Sequence, residues 1–369
     1  MSDNKELQVA LDAMGGDFAP DQIVEGGVWA IDSIENLILT LVGDATKIEN
    51  RLEELDRLDH PRIKICHANE TVSMDESPSQ ALRQKRNSSI HVGCKLVKEG
   101  LTGAFISAGN TGAVMAIASV LLRTLEGIDR AGIAAPLPTP SGGRLLLLDA
   151  GANVAVKVAN LYQFGVMGSI YSQSMFDNDV PRVGLLAIGE EESKGSVISK
   201  EAYEIMSRSS LNFVGNIEAK SLYKGVADVV VCDGLTGNIA LKASESMASL
   251  IAGKLKGIFA SSLRGKLAYL LLKNDLSEMR KSVDCTEVGA APLLGVNGAI
   301  FIGHGASDPK SILNAIKAAC KFIERDVNDH IKVTLEQNRD IFLPLTDQKE
   351  DAGVWDKMKN IFTKQDPNE

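Results

Sequence analysis

Eight short apolar runs recur along the chain: LQVAL (7–11), LILTLVG (37–43), RIKIC (62–66), GAFIS (103–107), RLLLLD (144–149), RVGLLAI (182–188), ADVVVCD (227–233) and AIFIG (299–303). Each is followed by a longer stretch compatible with helical spacing. Near-continuous apolar strands separated by helices belong to sheets covered on both sides. The pattern therefore predicts an α/β fold: a largely parallel sheet with helices on both faces. Ligands of such sheets sit in crevices at the carboxyl ends of the strands, so chemistry is expected in the loops that lead from these runs into helices.

Two of those loops echo each other. Ser107 is followed by Gly109-Asn110-Thr111-Gly112, and Asp233 by Gly234-Leu235-Thr236-Gly237-Asn238. Both place glycines and a hydroxyl at the start of a helix, where free N–H groups and the positive dipole end suit an anion such as phosphate. In DAMGGD (12–17), Asp12 and Asp17 bracket Gly15 and Gly16, a turn that lets backbone approach a ligand; Asp17 equally suits a helix cap ahead of Pro20. GEEESKG (189–195) sets Lys194 in a further loop, behind glutamates that suit a solvated first helical turn. DAGAN (149–153) and NGAIFIGHGASD (297–308) contribute Asn153, Asn297 and His304.

Composition narrows the function classes. Among 369 residues, 39 Lys and Arg stand against 48 Asp and Glu, a net charge of -9 that disfavours wholesale attraction to nucleic acid. Five scattered cysteines without C-x-x-C argue against a disulfide framework or a zinc site and for a reducing, cytoplasmic setting. No metal or cofactor is expected. No apolar stretch is long enough to span a bilayer. Walker A, H-E-x-x-H, G-x-S-x-G and a full G-x-G-x-x-G are all absent from the sequence.

One segment stands apart. Residues 246–276 form a long helical stretch, expected to break near Gly265, with Phe259, Leu263, Leu267, Leu270 and Leu271 at helical spacing. Lys254, Lys256, Arg264, Lys266, Lys273, Arg280 and Lys281 face only Asp275 and Glu278 there, a local excess of positive charge. A basic amphipathic helix suits a membrane surface or an acidic protein, and a dimer interface equally well. The expected organisation is one α/β domain over 1–335 that includes this segment, followed by a polar tail over 336–369 in which Val354, Met358, Ile361 and Phe362 are spaced for one or two amphipathic turns.

In order and spacing, ALDAMGGD, HANETVSMDESPSQALRQKRNSS, ISAGNTGAVMA, DAGANV, LYQFGVMGSIY, VGLLAIGEEESKG, GNIEAKSLYKGVADVVVCDGLTGNIALK and LLGVNGAIFIGHGASD resemble the bacterial phosphate acyltransferases of phospholipid synthesis, the PlsX family, over about residues 7 to 330. The resemblance implies a fold like that of isocitrate dehydrogenases and phosphotransacetylases, and a homodimer. The implied reaction is acyl-ACP (ACP, acyl carrier protein) plus inorganic phosphate giving acyl phosphate. It further implies peripheral association with the inner face of the cell membrane, with handover to the membrane-bound glycerol-3-phosphate acyltransferase PlsY. The chain departs from the family after DAGANV, where the family has an acidic residue and then a Lys-Pro pair and this chain has Ala155 and then Lys157 followed by Val158.

Phosphate near neutral pH is already largely dianionic, so such a site has to position it, hold a tetrahedral oxyanion and let a thiolate leave. Residue type and loop position, with the resemblance, assign Lys194, Asn238 and His304 to catalysis, His304 as proton donor to the thiolate. Asp12, Gly15, Gly16, Ser107, Gly109, Asn110, Thr111, Gly112, Asn153, Asp233, Gly234, Thr236 and Gly237 are assigned to substrate. Lys254, Lys256, Phe259, Leu263, Arg264, Lys266, Leu267, Leu270 and Leu271 are assigned to membrane or ACP, with Arg83, Lys85 and Arg86 as a second docking candidate. The competing readings are a phosphotransacetylase-type acyl-CoA enzyme, an NAD(P)-dependent decarboxylating dehydrogenase of the same fold, and a non-catalytic scaffold.

Overall fold

The computed structural model describes residues 6–140, 142–283 and 288–338. Its strands are β1 (Leu7–Asp12), β2 (Leu37–Gly43), β3 (Ile63–His67), β4 (Ala104–Ser107), β5 (Gly132–Pro138), β6 (Arg144–Leu148), β7 (Val183–Ala187), β8 (Phe213–Glu218), β9 (Val229–Val231), β10 (Ala290–Leu294) and β11 (Ala299–Gly303). They form one sheet in the order β3-β2-β1-β4-β11-β10-β5-β6-β9-β7-β8. All eight expected runs are strands. The sheet is mixed: β10 is antiparallel to both β11 and β5, and β5 is antiparallel to β6. Two parallel blocks, β3-β2-β1-β4-β11 and β6-β9-β7-β8, therefore run in opposite directions, and their carboxyl ends emerge at opposite edges.

The helices that matter for the site are α1 (Asp21–Ser33), α2 (Ala45–Glu54), α3 (Pro78–Gln84), α4 (Ser89–Lys98), α5 (Thr111–Leu122), α6 (Val158–Phe176), α7 (Val197–Ser207), α8 (Gly234–Ala260), α9 (Leu263–Val283), α10 (Pro309–Glu324) and α11 (Val327–Gln337). Strand periodicity distributes them. On β1, Val9 and Leu11 face a core shared with α1, α6 and α10, whereas Ala10 faces α4 and α5 on the other side. On β6, Leu146 and Leu148 join the first core while Leu145 and Leu147 join a smaller one with Val230 and Leu222. With both faces covered, the strands are apolar throughout, which is why they read as runs rather than as alternation.

The basic amphipathic segment folds as two helices. The chain breaks at Ser261–Ser262, a few residues before Gly265, and the two arms pack together at that glycine, where a Cβ would lie 2.6 Å from the Ile258 carbonyl oxygen. Phe259 and Tyr269 meet across the contact, ring centroids 5.8 Å apart. Beyond the contact the arms are solvent-facing, with Leu263 85% and Leu271 77% exposed. Among the described residues no helix is long and apolar enough to cross a membrane. The tail from 339 onward, with Val354 to Phe362, lies outside the described residues, as do the side chains of Arg280 and Lys281.

Candidate active site

The opposed blocks divide the expected site residues into two clusters. At the β1, β4 and β11 ends, Asp12 is buried: its Oδ2 accepts from Ser107 Oγ at 2.7 Å and its Oδ1 from the Met14 N–H at 3.1 Å. Ser107 Oγ in turn accepts from the Gly109 N–H at 3.1 Å. Burial pushes the Asp12 carboxyl above the ordinary carboxylate range, against the pull of Ser107. Gly15 is required, since a Cβ there would lie 2.7 Å from both Asp12 Oδ2 and the Gly109 nitrogen. Asp17 caps no helix; its N–H donates to the Gly305 carbonyl at 2.7 Å and ties this turn to the loop after β11.

In that loop His304 is exposed, and its Nδ1 accepts from the Ala306 N–H at 3.1 Å. In a neutral ring this puts the proton on Nε2. Asn110 caps α5, with Oδ1 accepting from the Ala113 N–H at 2.9 Å, while Nδ2 donates to the carbonyls of Ser73, Met74 and Glu76 at 3.0, 3.0 and 2.9 Å. Both ends of the amide are engaged within the protein, and Asn110, expected at the substrate, clasps the 73–76 loop. Thr111 is exposed at the start of α5, and Gly112 makes room for Pro78 of α3, whose Cγ would lie 2.6 Å from a Cβ.

The second cluster surrounds Asp149, just past β6. Its Oδ1 accepts from the N–H groups of Ile133, Gly151 and Ala152 at 3.1, 3.1 and 2.8 Å. Its Oδ2 accepts from the Asn153 N–H and Nδ2 at 2.7 and 2.9 Å. Burial pushes this carboxyl up as well, opposed by the donors around it. Asn153 Nδ2 also donates to the Ala131 carbonyl at 2.7 Å, which fixes the amide and turns its Oδ1 away from Asp149. The start of α8 is packed on this loop: the Gly234 N–H donates to the Asn153 carbonyl at 2.7 Å, and a Cβ at Gly237 would overlap the Asp149 carbonyl oxygen.

Asp233 caps α8, accepting from the Thr236 N–H at 2.8 Å and Thr236 Oγ1 at 2.7 Å. The donors of Gly234, Thr236 and Gly237 are thus taken within the protein, which narrows the expected phosphate cradle at this helix end. Asn238, exposed on the first turn, stands beside Gly151, with Oδ1 3.7 Å from where a Cβ of that glycine would be. Lys194 is exposed in the loop after β7, which leaves the same edge of the sheet as the loop carrying Asn153, with β9 between the two strands.

Helix α5 links the clusters because it runs back along the sheet from the β4 end. A cleft of about 540 Å³ follows it, lined by Pro78, Gly112, Met115, Ala116, Ser119, Arg123, Thr124, Asp129, Arg130, Ala131, Ala152, Asn153 and Leu293. Of the expected residues, Gly112 and Asn153 line this cleft; Lys194, Asn238, His304 and the Asp12 turn lie outside its wall. Arg123 and Arg130, which sequence reasoning missed, lie inside it. They fall in LRTLEGIDRAG, between α5 and β5, a segment with no strand or loop motif to mark it. Among the described residues no three His, Cys, Asp or Glu side chains are gathered as a metal site.

Residues 7–330 match the model of a family described as "Fatty acid synthesis protein". The phosphate acyltransferase of Halothermothrix orenii is 46% identical over 337 residues, covering 90% of this chain and 99% of that protein. That of Thermoanaerobacter pseudethanolicus is 43% identical over 334 residues, covering 90% and 99%. The chain belongs to the phosphate acyltransferase family. It is an acyltransferase, and this membership displaces the dehydrogenase and scaffold readings. The fold is also similar to a phosphotransacetylase from Streptococcus pyogenes, at a TM-score of 0.62 and 17% identity over 86% of this chain and 94% of that one. A branched-chain phosphotransacylase from Enterococcus faecalis gives 0.53 and 14%, covering 86% and 99%. These last two show a shared fold.

Proposed function

We propose that this acyltransferase moves a long-chain acyl group from the thioester of acyl carrier protein to inorganic phosphate, giving acyl phosphate for phospholipid synthesis. The observation that carries the reading is the family match across residues 7–330. A phosphate oxygen attacks the thioester carbonyl, the tetrahedral oxyanion collapses, the C–S bond breaks as the C–O bond to phosphate persists, and the departing thiolate takes a proton. The cleft supplies an apolar wall of Pro78, Met115, Ala116 and Leu293 for the acyl-bearing arm and, at its other end, the fixed Asn153 amide. We assign oxyanion stabilisation to Asn238, phosphate attraction to Lys194 and protonation of the thiolate to His304, while Asn153, whose amide hydrogens are held by Asp149 and Ala131, fixes the loop beside Asn238.

The exposed apolar and basic arms of α8 and α9 fit a homodimer contact and the inner membrane surface, where product would pass to a membrane-bound acceptor acyltransferase. Arg83 and Arg86, exposed beside a Lys85 that is tied to Glu76 at 2.6 Å, are docking candidates for the acidic carrier. The test is to incubate the protein with palmitoyl-ACP and phosphate, following free thiol and hydroxylamine-trapped acyl phosphate. Phosphate-dependent product, lost in folded Lys194→Ala and Asn238→Ala, supports both reaction and roles; product only from acetyl-CoA selects the phosphotransacetylase alternative. Flotation with anionic liposomes, lost in Leu267→Glu, tests the membrane surface.

A further inference from the structure

We infer that Arg123 and Arg130 form a subsite for a phosphate oxyanion at the polar end of the cleft. This rests on the acyl-transfer reading and adds the cations that the Asn153 end otherwise lacks. Both residues are exposed and line the same cavity, and among the described residues neither takes part in an ion pair. Of the two carboxylates between them in sequence, Glu126 is exposed and in no ion pair with either arginine among the described residues, and Asp129 is held by buried Gln163: its Oδ2 accepts from Gln163 Nε2 at 3.2 Å and its N–H donates to Gln163 Oε1 at 3.1 Å. Arg130 directly precedes Ala131, whose carbonyl holds the Asn153 amide, so its backbone is anchored next to the Asp149 loop.

Arg123 carries a second, independent sign. It ends α5 at φ 62 and ψ 176, a conformation that glycine adopts without penalty and an arginine does not. Its surroundings enforce this: the Asn297 N–H donates to the Arg123 carbonyl at 2.9 Å, the Leu125 N–H to the Gly295 carbonyl at 2.9 Å, and Thr124 bridges Val296. A side chain kept at a position where its backbone is strained points to a use for that side chain. Two planar forks beside the Ser119 and Thr124 hydroxyls match the oxygens of a phosphate group, which Arg binds bidentately. The group is either the inorganic substrate or the phosphodiester of the donor's pantetheine arm.

Calorimetric titration of the full chain with inorganic phosphate, 4′-phosphopantetheine and pantetheine separates these sources and needs no turnover. The variants are Arg130→Ala, Arg130→Lys and Arg123→Gly, the last of which relaxes the backbone and should melt higher than wild type. The expected result is at least tenfold weaker binding of a phosphate-bearing ligand to Arg130→Ala and Arg123→Gly, partial recovery in Arg130→Lys, and unchanged pantetheine binding. Loss confined to inorganic phosphate assigns the free substrate; loss confined to phosphopantetheine assigns the donor's arm. The inference is overturned if wild type binds neither anion, if the variants bind both as wild type does, or if pantetheine weakens equally. Absence of acyl phosphate from palmitoyl-ACP with these binding differences intact discards the transfer reading and keeps the subsite.

Discussion

Replacing Asp149 with Asn tests the keystone of the second loop cluster. The carboxylate is ringed by five N–H donors, three on Oδ1 and two on Oδ2. None of these neighbours offers an acceptor for a proton, so the ionised form is the one the loop is built to hold. In Asp149→Asn one oxygen becomes an NH2 group, and the better of its two orientations still faces the Asn153 N–H and Nδ2 with a donor. Two hydrogen bonds to a charged acceptor are lost, at about 1.5–3 kcal/mol each, partly offset by no longer burying a charge. A net loss of about 3 kcal/mol is expected, a large share of a typical domain's stability of roughly 5–15 kcal/mol. Urea unfolding followed by circular dichroism measures it, with an unchanged slope confirming that the unfolded state is the same. Because Asn153 loses its anchor, acyl transfer should fall in the fraction that stays folded. A variant within about 1 kcal/mol of wild type would refute the reasoning, because it would mean that Asp149 is protonated and that the donors are satisfied by something other than its charge.

Three further outcomes follow from the same contacts. Gly237→Ala should lower the melting temperature, by about 1–3 kcal/mol of overpacking against the Asp149 carbonyl, whereas Gly253→Ala, with nothing within 4 Å, should gain up to about 1 kcal/mol from helix propensity. Asn110→Asp keeps the cap on Ala113 but points a carboxylate at three carbonyls, so it should cost about 3 kcal/mol and speed proteolysis between 73 and 77, while Asn110→Ser, which keeps only a cap, should cost less. Burial raises the Asp12 carboxyl, so the folded chain holds that proton where the unfolded chain has released it; its contribution to stability is present at acid pH and is lost, at about 1.4 kcal/mol per pH unit, as pH rises from the ordinary value of 3.8 through the raised one. The difference in urea midpoint between wild type and Asp12→Asn, measured against pH, should show that slope.

How much the sequence discloses depends on what each strand is made of. The eight strands that read clearly are Leu-, Ile- and Val-rich and flanked by helices. The unread ones are β5 and β10, which carry Pro136, Pro138 and Pro292, and the edge strand β8, which contains Gly215 at φ 92. Proline in a run removes a ladder donor and ordinarily argues against an interior strand. Here Pro136 lies opposite Leu146 and Pro292 opposite Phe301, in the middle of the sheet. Those two strands also reverse its direction, so missing them hides the fact that the Asp12 and Asp149 loops leave opposite edges. Glycine-rich turns were legible as turns, and the caps that Asn110 and Asp233 make bond three residues on, a local signal that went unread; that Asn110 also clasps the 73–76 loop was not legible, because that loop carries no periodic signal.

The cleft shows how a chain of net charge -9 can receive an anion. Charges more than about 10 Å away are largely screened at moderate salt, so the count that matters is local. Near the cleft two carboxylates are turned inward, Asp149 to backbone donors and Asp233 to its own helix start, while Asp129, held by Gln163, lines the cavity. The first two direct their negative charge at protein N–H or O–H groups rather than at the cavity. Arg123 and Arg130 line the cleft and, among the described residues, take part in no ion pair. In the proposed subsite a phosphate group meets two arginines that are in no ion pair among the described residues, and the same internal bonds that fix Asn153 keep Asp149 from competing for them.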